Sequence, residues 1–416
     1  MKIENLKVYF TVITVFVLIV AIGFAIYKID FQKEENFSKP KITLWHTFSG
    51  REKETFNKII QRYIENHSDI IIDYQPQDYS AMIQKYITAA SAGDAPDIIR
   101  IPNDRLGEVA IKGFLETLNP FLTPELSREY FFNSLSAMTF ENSLYGLPAS
   151  QDTLMLVYNK DIFSSKNIPF PNRTWTTQTL IDVAVQLTDD EHYGLVFPVT
   201  SSYWWFPFLI GYGGTIFDSN GEPAINSLEA QRATSYVMDM IKKYNIMPST
   251  VIDEVKMVTL FQEQKAAMIM IGPWKIEEIR NAAVNYGLEI LPIVTETGKR
   301  LSPLVGYKGY SISKNSLHKD KAFDLIKYLT SDEVTLQFAL ETKTMPSKIR
   351  VMNNPTVLAN EVLYIENEQV KYGTPFPSSP RMIVVGEKVG EALEKILNGA
   401  DIQTALDEAQ RRIIEY

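Results

Sequence analysis

Three observations predict an α/β protein built from two units. The chain has 416 residues, which suits about two or three domains. Its first third alternates short apolar runs with amphipathic stretches in the order β-α-β-α-β, which is typical of a mainly parallel sheet with helices on both faces. A second α/β series follows Pro148-Ala149-Ser150, where we expect a bend because proline is disfavoured inside a central strand.

The first series predicts three strands and two helices. Ser49 and Glu52 have the spacing of a capping box, which is expected to open the first helix. In chain order, the predicted elements are a strand at 42–45, a helix with its apolar face from Phe56 to Ile64, a strand at 69–74, a helix from Met82 to Ala90 and a strand at 97–99. Ligand sites in such sheets lie beyond the carboxyl ends of the strands.

The second series and the rest of the chain continue this alternation. The predicted elements are a helix at 176–187, a strand at 195–197, an aromatic helix at 203–210, a helix at 228–244, a strand at 268–271 with a helix around Glu277, a strand at 305–313, a helix at 318–329, a crossing near 344–346, and terminal helices at 383–398 and 402–414.

The N-terminal segment predicts contact with a membrane. Residues 8–27 carry no charge, and this is about the length that a helix needs to span a bilayer. Lys2 and Lys7 place the N-terminus, residues 1–7, in the cytoplasm, and the polar stretch 28–40 suits a tether. We expect a retained anchor with residues 41–416 outside the membrane. A cleaved signal peptide, and so a secreted or periplasmic protein, is the alternative.

Composition excludes several classes of function. The net charge is −9 and no block of basic residues occurs, so a nucleic-acid partner is not expected. The absence of cysteine excludes disulfides, thiolate metal sites and cysteine nucleophiles. The four histidines lack metal-ligand spacing, and no phosphate-binding or dinucleotide motif occurs. We therefore expect no catalytic residues, no metal, no cofactor and no enzymatic activity. We also expect a monomer.

An aromatic residue stands at an unusual place in the stretch AAMIMIGPWKIEEI, residues 266–279. Trp274 comes just after the apolar run of a buried strand and before a helix. At this position the ring is either a rim residue of a ligand site or a cap packed under the helix. The aromatic content of 12% fits either a large core or a cleft lined by flat rings.

Three short motifs follow one another in a specific order: G-D-A-P-D-I-I at 93–99, Y-N-K-D at 158–161 and G-P-W at 272–274. With these motifs, residues 41–416 resemble the extracytoplasmic solute-binding proteins of sugar ABC transporters, most closely the maltose/maltodextrin-binding branch. The resemblance implies a type II periplasmic-binding-protein fold with a hinge-bending cleft. Its first lobe would comprise 41–150 and 304–345, and its second 151–303 and 346–416.

The resemblance also implies a function. Proteins of this kind capture a di- or oligosaccharide in the cleft between the lobes and deliver it to permease subunits in the membrane. Two other functions remain open. A glycoside hydrolase would need two cleft carboxylates in an acid/base arrangement, and a membrane-tethered sugar-sensor ectodomain would share the binding chemistry and differ in its partner.

The resemblance assigns sugar contacts residue by residue. Trp274 and Tyr203 match stacking aromatics, Asp104-Arg105 matches a ligand-contacting pair, and Asp152 matches an acid at the crossing between lobes. From spacing alone, Asp104 and Arg105 would be a solvated pair that opens a helix. Trp45 ends the first strand, where a contact from the first lobe would fall, although a core position suits it equally.

Two positions depart from the maltodextrin pattern. Ile101 and Gly386 stand where that pattern has tryptophans, which weakens the case for a linear maltodextrin. Other aromatics could substitute, namely Tyr307, Tyr310 or Phe376, and a different di- or oligosaccharide is compatible with the sequence.

Overall fold

The computed structural model describes residues 15–23 and 39–415. Residues 15–23 are helical and exposed. The remainder of the predicted span at 8–27, the segment 1–7 and the tether residues 28–38 lie outside the described residues. Within the two described ranges, no helix combines the length and the apolar content needed to cross a bilayer.

The strands are short and spread along the whole chain. They are β1 (Lys41–His46), β2 (Ile71–Pro76), β3 (Ile98–Pro102), β4 (Thr139–Phe140), β5 (Ser143–Leu144), β6 (Leu147–Asp152), β7 (Met155–Asn159), β8 (Met268–Ile271), β9 (Tyr286–Glu289), β10 (Leu304–Ile312), β11 (Met345–Pro346) and β12 (Thr374–Pro375).

Helices fill the connections between the strands. Beyond the short segment 15–23, they are α1 (Gly50–Asn66), α2 (Met82–Ala92), α3 (Leu106–Ala110), α4 (Pro124–Arg128), α5 (Phe132–Ala137), α6 (Lys160–Ser165), α7 (Thr177–Leu187), α8 (Ser202–Gly211), α9 (Leu228–Lys242), α10 (Glu254–Gln262), α11 (Ile276–Asn281), α12 (Lys319–Leu329), α13 (Asp332–Thr342), α14 (Ile349–Met352), α15 (Pro355–Leu358), α16 (Glu361–Val370), α17 (Met382–Leu397) and α18 (Ile402–Ile414).

The predicted α/β class is confirmed, with strand directions that are mixed rather than mainly parallel. The larger sheet has the order β11-β6-β10-β3-β1-β2, with β12 beside β10. β1 is parallel to β2 and β3, whereas β10 is antiparallel to β3 and β6. The smaller sheet, β8-β7-β9, is antiparallel. Strands such as β10 arrive late in the sequence and enter the first sheet from the other lobe, which the local β-α-β order does not reveal.

Two large apolar cores define two lobes. The first core is formed by residues within 42–147 and 305–334, and the second by residues within 154–304 and 362–413. The chain therefore passes between cores after Leu147 and again between Leu304 and Val305. Residues between 339 and 363 form a small separate cluster.

The bend predicted at Pro148-Ala149-Ser150 is displaced, because β6 continues through these residues to Asp152. The proline is tolerated in the strand for two reasons. β11 pairs only with Ser150 and Gln151, which leaves Pro148 without a neighbour on that side. On the other side, Pro148 lies opposite Gly309, next to a register shift at which Ala149 of β6 has no partner in β10.

The predicted capping box of α1 does not form. Ser49 has extended backbone geometry, but its side chain makes no capping hydrogen bond. The carboxylate of Glu52 instead accepts a hydrogen bond of 3.0 Å from the hydroxyl of Thr344. Glu52 therefore bonds to Thr344, which is 292 positions away in the sequence, and not to the N-terminus of its own helix.

Candidate ligand cleft between the lobes

Trp274 lies at the edge of the second lobe. β8 is fully buried and ends at Ile271, and a 3-10 turn at Pro273–Lys275 follows. The ring of Trp274 lies over Gly272, where an added Cβ would come within 1.8 Å of it and would displace the ring. Trp274 keeps 41% of its surface exposed, and its Nε1 donates to Glu254 Oε2 at 3.3 Å. It is a rim residue and not a core residue.

Three aromatic rings form one surface, which we call the aromatic wall: Tyr203, Trp274 and Phe376. Tyr203 lies near the start of α8, with its ring centroid 6.3 Å from that of Trp274. The rings of Tyr203 and Phe376 are stacked at 5.9 Å with an interplanar angle of 7°. Trp204 anchors α8 to the sheet, because its Nε1 donates to Met270 O at 2.7 Å.

A buried asparagine of the first lobe positions Phe376. Asn103 follows β3 in a 3-10 turn. Its Nδ2 donates to Phe376 O at 3.0 Å, and its Oδ1 accepts from Tyr307 N at 2.8 Å. Phe376 N also donates to Val305 O at 3.1 Å. The end of β3, the start of β10 and the aromatic wall are therefore joined through one side chain.

Four side chains of the first lobe form a second surface, which we call the polar wall: Tyr79, Asp104, Asp152 and Lys308. Asp104 follows β3, Asp152 ends β6 and Lys308 lies on β10. Lys308 and Asp152 form an ion pair whose side chains are 24% and 17% exposed. Tyr79 belongs to the loop after β2 and is 58% exposed.

The charged groups of the polar wall change one another's pKa values. Burial raises the pKa of Asp104, Asp152 adds to this increase, and Arg105 and Lys308 oppose it. Burial is the largest influence on Lys308 and opposes its charge, but Asp152 and Tyr79 together outweigh it, and the pKa of Lys308 is raised. The wall thus offers carboxylate acceptors and one ammonium donor.

Groups from both lobes come together at the Tyr203 hydroxyl, which marks the candidate cleft between the lobes. Burial raises the pKa of Tyr203 well above its usual value, and nearby Asp152, Tyr79, Glu254 and Asp104 raise it further. These groups act on the same hydroxyl although Asp104 and Asp152 belong to the first lobe and Glu254 to the second. The Tyr203 hydroxyl therefore stays protonated and can donate a hydrogen bond.

The structure brings together four of the six residues predicted to bind ligand: Trp274, Tyr203, Asp104 and Asp152. Arg105 is one position further on, and its guanidinium pairs with Glu108 at 2.7 Å. Trp45 packs partly buried against the first core, with Lys85 Nζ 4.8 Å from its ring centroid. The described contacts of Trp45 are with the first lobe and not with either wall.

Sequence reasoning missed Tyr79, Lys308 and Glu254. Tyr79 follows a strand end, so the rule that led to Trp274 could have found it. Lys308 is the one charged residue in β10, and this is also a visible signal. Of the three candidate replacement rings, Tyr307 and Tyr310 are buried at 5% and 3% exposure, whereas Phe376 is in the aromatic wall.

The two departures from the maltodextrin pattern differ in their surroundings. Ile101 is fully buried in the first core. At Gly386, on α17, a Cβ would meet only Ser202 Oγ, at 3.5 Å, beside Tyr203. The absence of a side chain here leaves space next to the aromatic wall. Among the residues that the structure describes, no three His, Asp or Glu side chains are grouped to hold a metal ion.

The fold is that of a two-lobed binding protein, and the candidate site lies between the lobes. The model of the bacterial extracellular solute-binding protein family matches residues 49–335, and the chain belongs to this family. The family is extracytoplasmic, and the relatives described below are binding proteins.

Relatives named for the sugars they bind can be aligned with most of the chain. The galactooligosaccharide-binding protein of Bacillus subtilis is 28% identical over 89% of this chain and 87% of its own length. The maltotriose-binding protein of Pyrococcus abyssi is 26% identical over 92% and 84%. The structure of the maltose/maltodextrin-binding domain MalE of Bdellovibrio bacteriovorus, bound to maltotriose, has a TM-score of 0.78 and 26% identity, and covers 90% of this chain and 99% of that one.

Proposed function

We propose that the protein is the extracytoplasmic sugar-binding component of an ABC transporter. It captures a di- or oligosaccharide, maltodextrin-like in its chemistry, between the lobes and delivers it to permease subunits in the membrane. The curated relatives bind galactooligosaccharides and maltotriose, which supports an oligosaccharide ligand and leaves its linkage to experiment.

The observation that carries this proposal is the pairing of an aromatic wall with a polar wall. A pyranose has an apolar face of C–H groups and a ring of hydroxyls. Tyr203, Trp274 and Phe376 offer flat apolar area, which packs on the first. Asp104 and Asp152 accept hydrogen bonds from the second, and such charge-assisted bonds are strong and directional.

Closure of the lobes follows from this arrangement. A ligand that contacts both walls stabilises the closed form relative to the open one by its contacts with the far lobe. The ion pair between Arg51 of α1 and Glu277 of α11, at 3.7 Å, joins the lobes at the rim. Because both side chains are about half exposed, we expect this pair to contribute little and to break easily on opening.

Isothermal titration calorimetry with a saccharide panel tests the proposal. The full chain, purified in detergent, is titrated with maltose, maltotriose, longer maltodextrins and galactooligosaccharides. We expect at least one ligand to bind with Kd on the order of 1 µM, equivalent to about −8 kcal/mol. Absence of binding to every saccharide would reject the proposal. Chromatography of the incubated sugars distinguishes a carrier, which returns them intact, from a hydrolase.

The partners and the location are part of the same proposal. We propose a monomer, held at the outer face of the membrane by the N-terminal segment. Size-exclusion chromatography with light scattering tests the monomer, and the mass of the mature N-terminus from membranes distinguishes an anchor from a cleaved signal peptide. Copurification with permease subunits, rather than with a signalling receptor, distinguishes a transporter component from a sugar sensor.

A further inference from the structure

A buried arginine of the first lobe has no carboxylate partner. Arg100 lies on β3 and is 4% exposed. Its Nη2 donates to Ser150 Oγ at 3.0 Å, and its Cζ lies 4.2 Å from the centroid of the Phe48 ring. Its Nε has no hydrogen-bond partner among the described residues. No described carboxylate comes within salt-bridge distance of it.

The neighbouring groups supply no compensating charge. Burial lowers the pKa of His46 to about 4, with Arg100 and Lys53 adding to the shift, so this imidazole is neutral. Burial raises the pKa of Tyr310 to about 12, so its hydroxyl keeps its proton. Asp152 is paired with Lys308.

Glu52 of α1 acts on the neighbouring Tyr310 but forms no ion pair with Arg100. Its Oε1 accepts a hydrogen bond from Thr344. A buried cation without a counter-charge is strongly destabilising. The Phe48 ring and the Ser150 hydroxyl offset part of this cost, but no described carboxylate forms an ion pair with Arg100.

A small cavity adjoins this guanidinium. It has a volume of about 30 Å³ and is walled mainly by apolar side chains. The residues with polar side chains in its lining are Arg100, Ser150, Tyr310, Thr335 and Thr344. The Ser150 hydroxyl accepts from Arg100 and has its own proton left to donate. One water needs about 10–15 Å³ of such space, so the cavity suits a very small occupant and excludes a sugar.

We propose that Arg100 and Ser150 bind a small monovalent anion, with chloride as the physiological species. The anion supplies the charge that the protein lacks and accepts hydrogen bonds from the guanidinium Nε and from the Ser150 hydroxyl. The apolar walls favour a weakly hydrated ion, so bromide should bind as well as chloride or better.

The position of this anion site links it to the stability of the first lobe. Ser150 pairs with Lys308 across β6 and β10, and Arg100 pairs with Tyr310 across β3 and β10. The anion therefore joins three neighbouring strands behind the polar wall. The proposal does not depend on the sugar-binding function.

Thermal unfolding in matched salts tests the anion site. The full chain is unfolded in sodium chloride, sodium bromide and sodium gluconate at equal ionic strength. We expect chloride and bromide to raise Tm by about 2 °C, in a saturable way, relative to gluconate. Arg100→Gln and Ser150→Ala should reduce or remove the difference, and Arg128→Gln, which changes an exposed arginine, should keep it.

Crystallography with bromide locates the anion directly. It uses the unaltered protein, so it remains informative if Arg100→Gln does not fold. We expect an anomalous bromide peak in the cavity, within hydrogen-bond reach of Arg100 Nε, in the unaltered protein. Absence of this peak together with equal Tm values in chloride and gluconate would overturn the proposal and leave water as the partner of Arg100.

Discussion

The two walls of the cleft are built differently, although they face the same space. The aromatic wall consists of rings at the ends of elements, and Trp274 retains considerable exposure. The polar wall includes a largely buried ion pair between the adjacent strands β6 and β10. From this difference we expect changes in the aromatic wall to affect mainly ligand affinity. We expect changes in the polar wall to affect both affinity and the stability of the fold.

The largest effect is expected from the polar wall. Asp152→Ala leaves Lys308 buried without its counter-charge, and removal of one partner from a buried pair typically costs about 3–5 kcal/mol of stability. Denaturant unfolding measures this loss. Glu277→Ala, which removes the exposed pair with Arg51, is the control and should cost less than about 1 kcal/mol. Equal losses in the two variants would show that the burial of the Asp152 pair has no energetic consequence.

The stability of the first lobe should also decrease at acidic pH because of His46. The pKa of this imidazole in the fold, about 4, is below its ordinary value of 6.5 because of burial and the nearby Arg100 and Lys53 charges. The unfolded chain therefore binds more protons between pH 6.5 and pH 4, and stability falls as the pH is lowered through this window.

We expect this group to account for about 2–3 kcal/mol of the loss between pH 7 and pH 4. His46→Asn, which retains an acceptor for Phe48 N, should flatten that part of the profile of unfolding free energy against pH. An unchanged profile would show that His46 titrates normally in the folded protein.

In contrast to the polar wall, the aromatic wall should affect ligand affinity much more than stability. Trp274→Ala should weaken binding of the best saccharide by about 2 kcal/mol, or roughly 30-fold, as removal of a central aromatic anchor does. Because the ring is exposed, the unfolding midpoint should change little. Trp45→Ala is the matched control, since that ring packs against the first lobe, and it should leave affinity almost unchanged. If Trp45→Ala and Trp274→Ala weakened binding by similar amounts, Trp45 would also be part of the ligand site.

The smallest effect is expected at the support of the aromatic wall. Glu254→Gln retains an oxygen that accepts from Trp274 Nε1 but removes the charge from this bond. Because Glu254 is only partly buried, calorimetry should show a loss of at most about 1 kcal/mol in affinity. A loss as large as that of Trp274→Ala would indicate that Glu254 itself contacts the ligand.

The sequence predicted the elements better than their assembly. The apolar rhythm of α1 and the continuous run of β8 are local signals, and both elements are present where expected. Strand order is not local, because β10 enters the first sheet between β6 and β3 from 152 positions beyond the end of β6. The mixed strand directions therefore could not follow from periodicity.

The candidate site shows the same limit. Trp274 was identifiable because a large ring at a strand end is unusual. Arg105 and Asp104 are adjacent in sequence, yet the guanidinium pairs with Glu108 whereas the carboxylate is close enough to Tyr203 to raise its pKa. The partners of Asp152 and Glu52, Lys308 and Thr344, come from distant parts of the chain. Such contacts are decided by tertiary packing and have no sequence signature of their own.

A crystal structure of the protein with its highest-affinity saccharide tests the central claim most directly. We predict a pyranose ring packed against Trp274 or Tyr203, with its hydroxyls bonded to Asp104 or Asp152 of the other lobe. A saccharide bound outside the cleft, or one that touches only one of the two walls, would contradict the account.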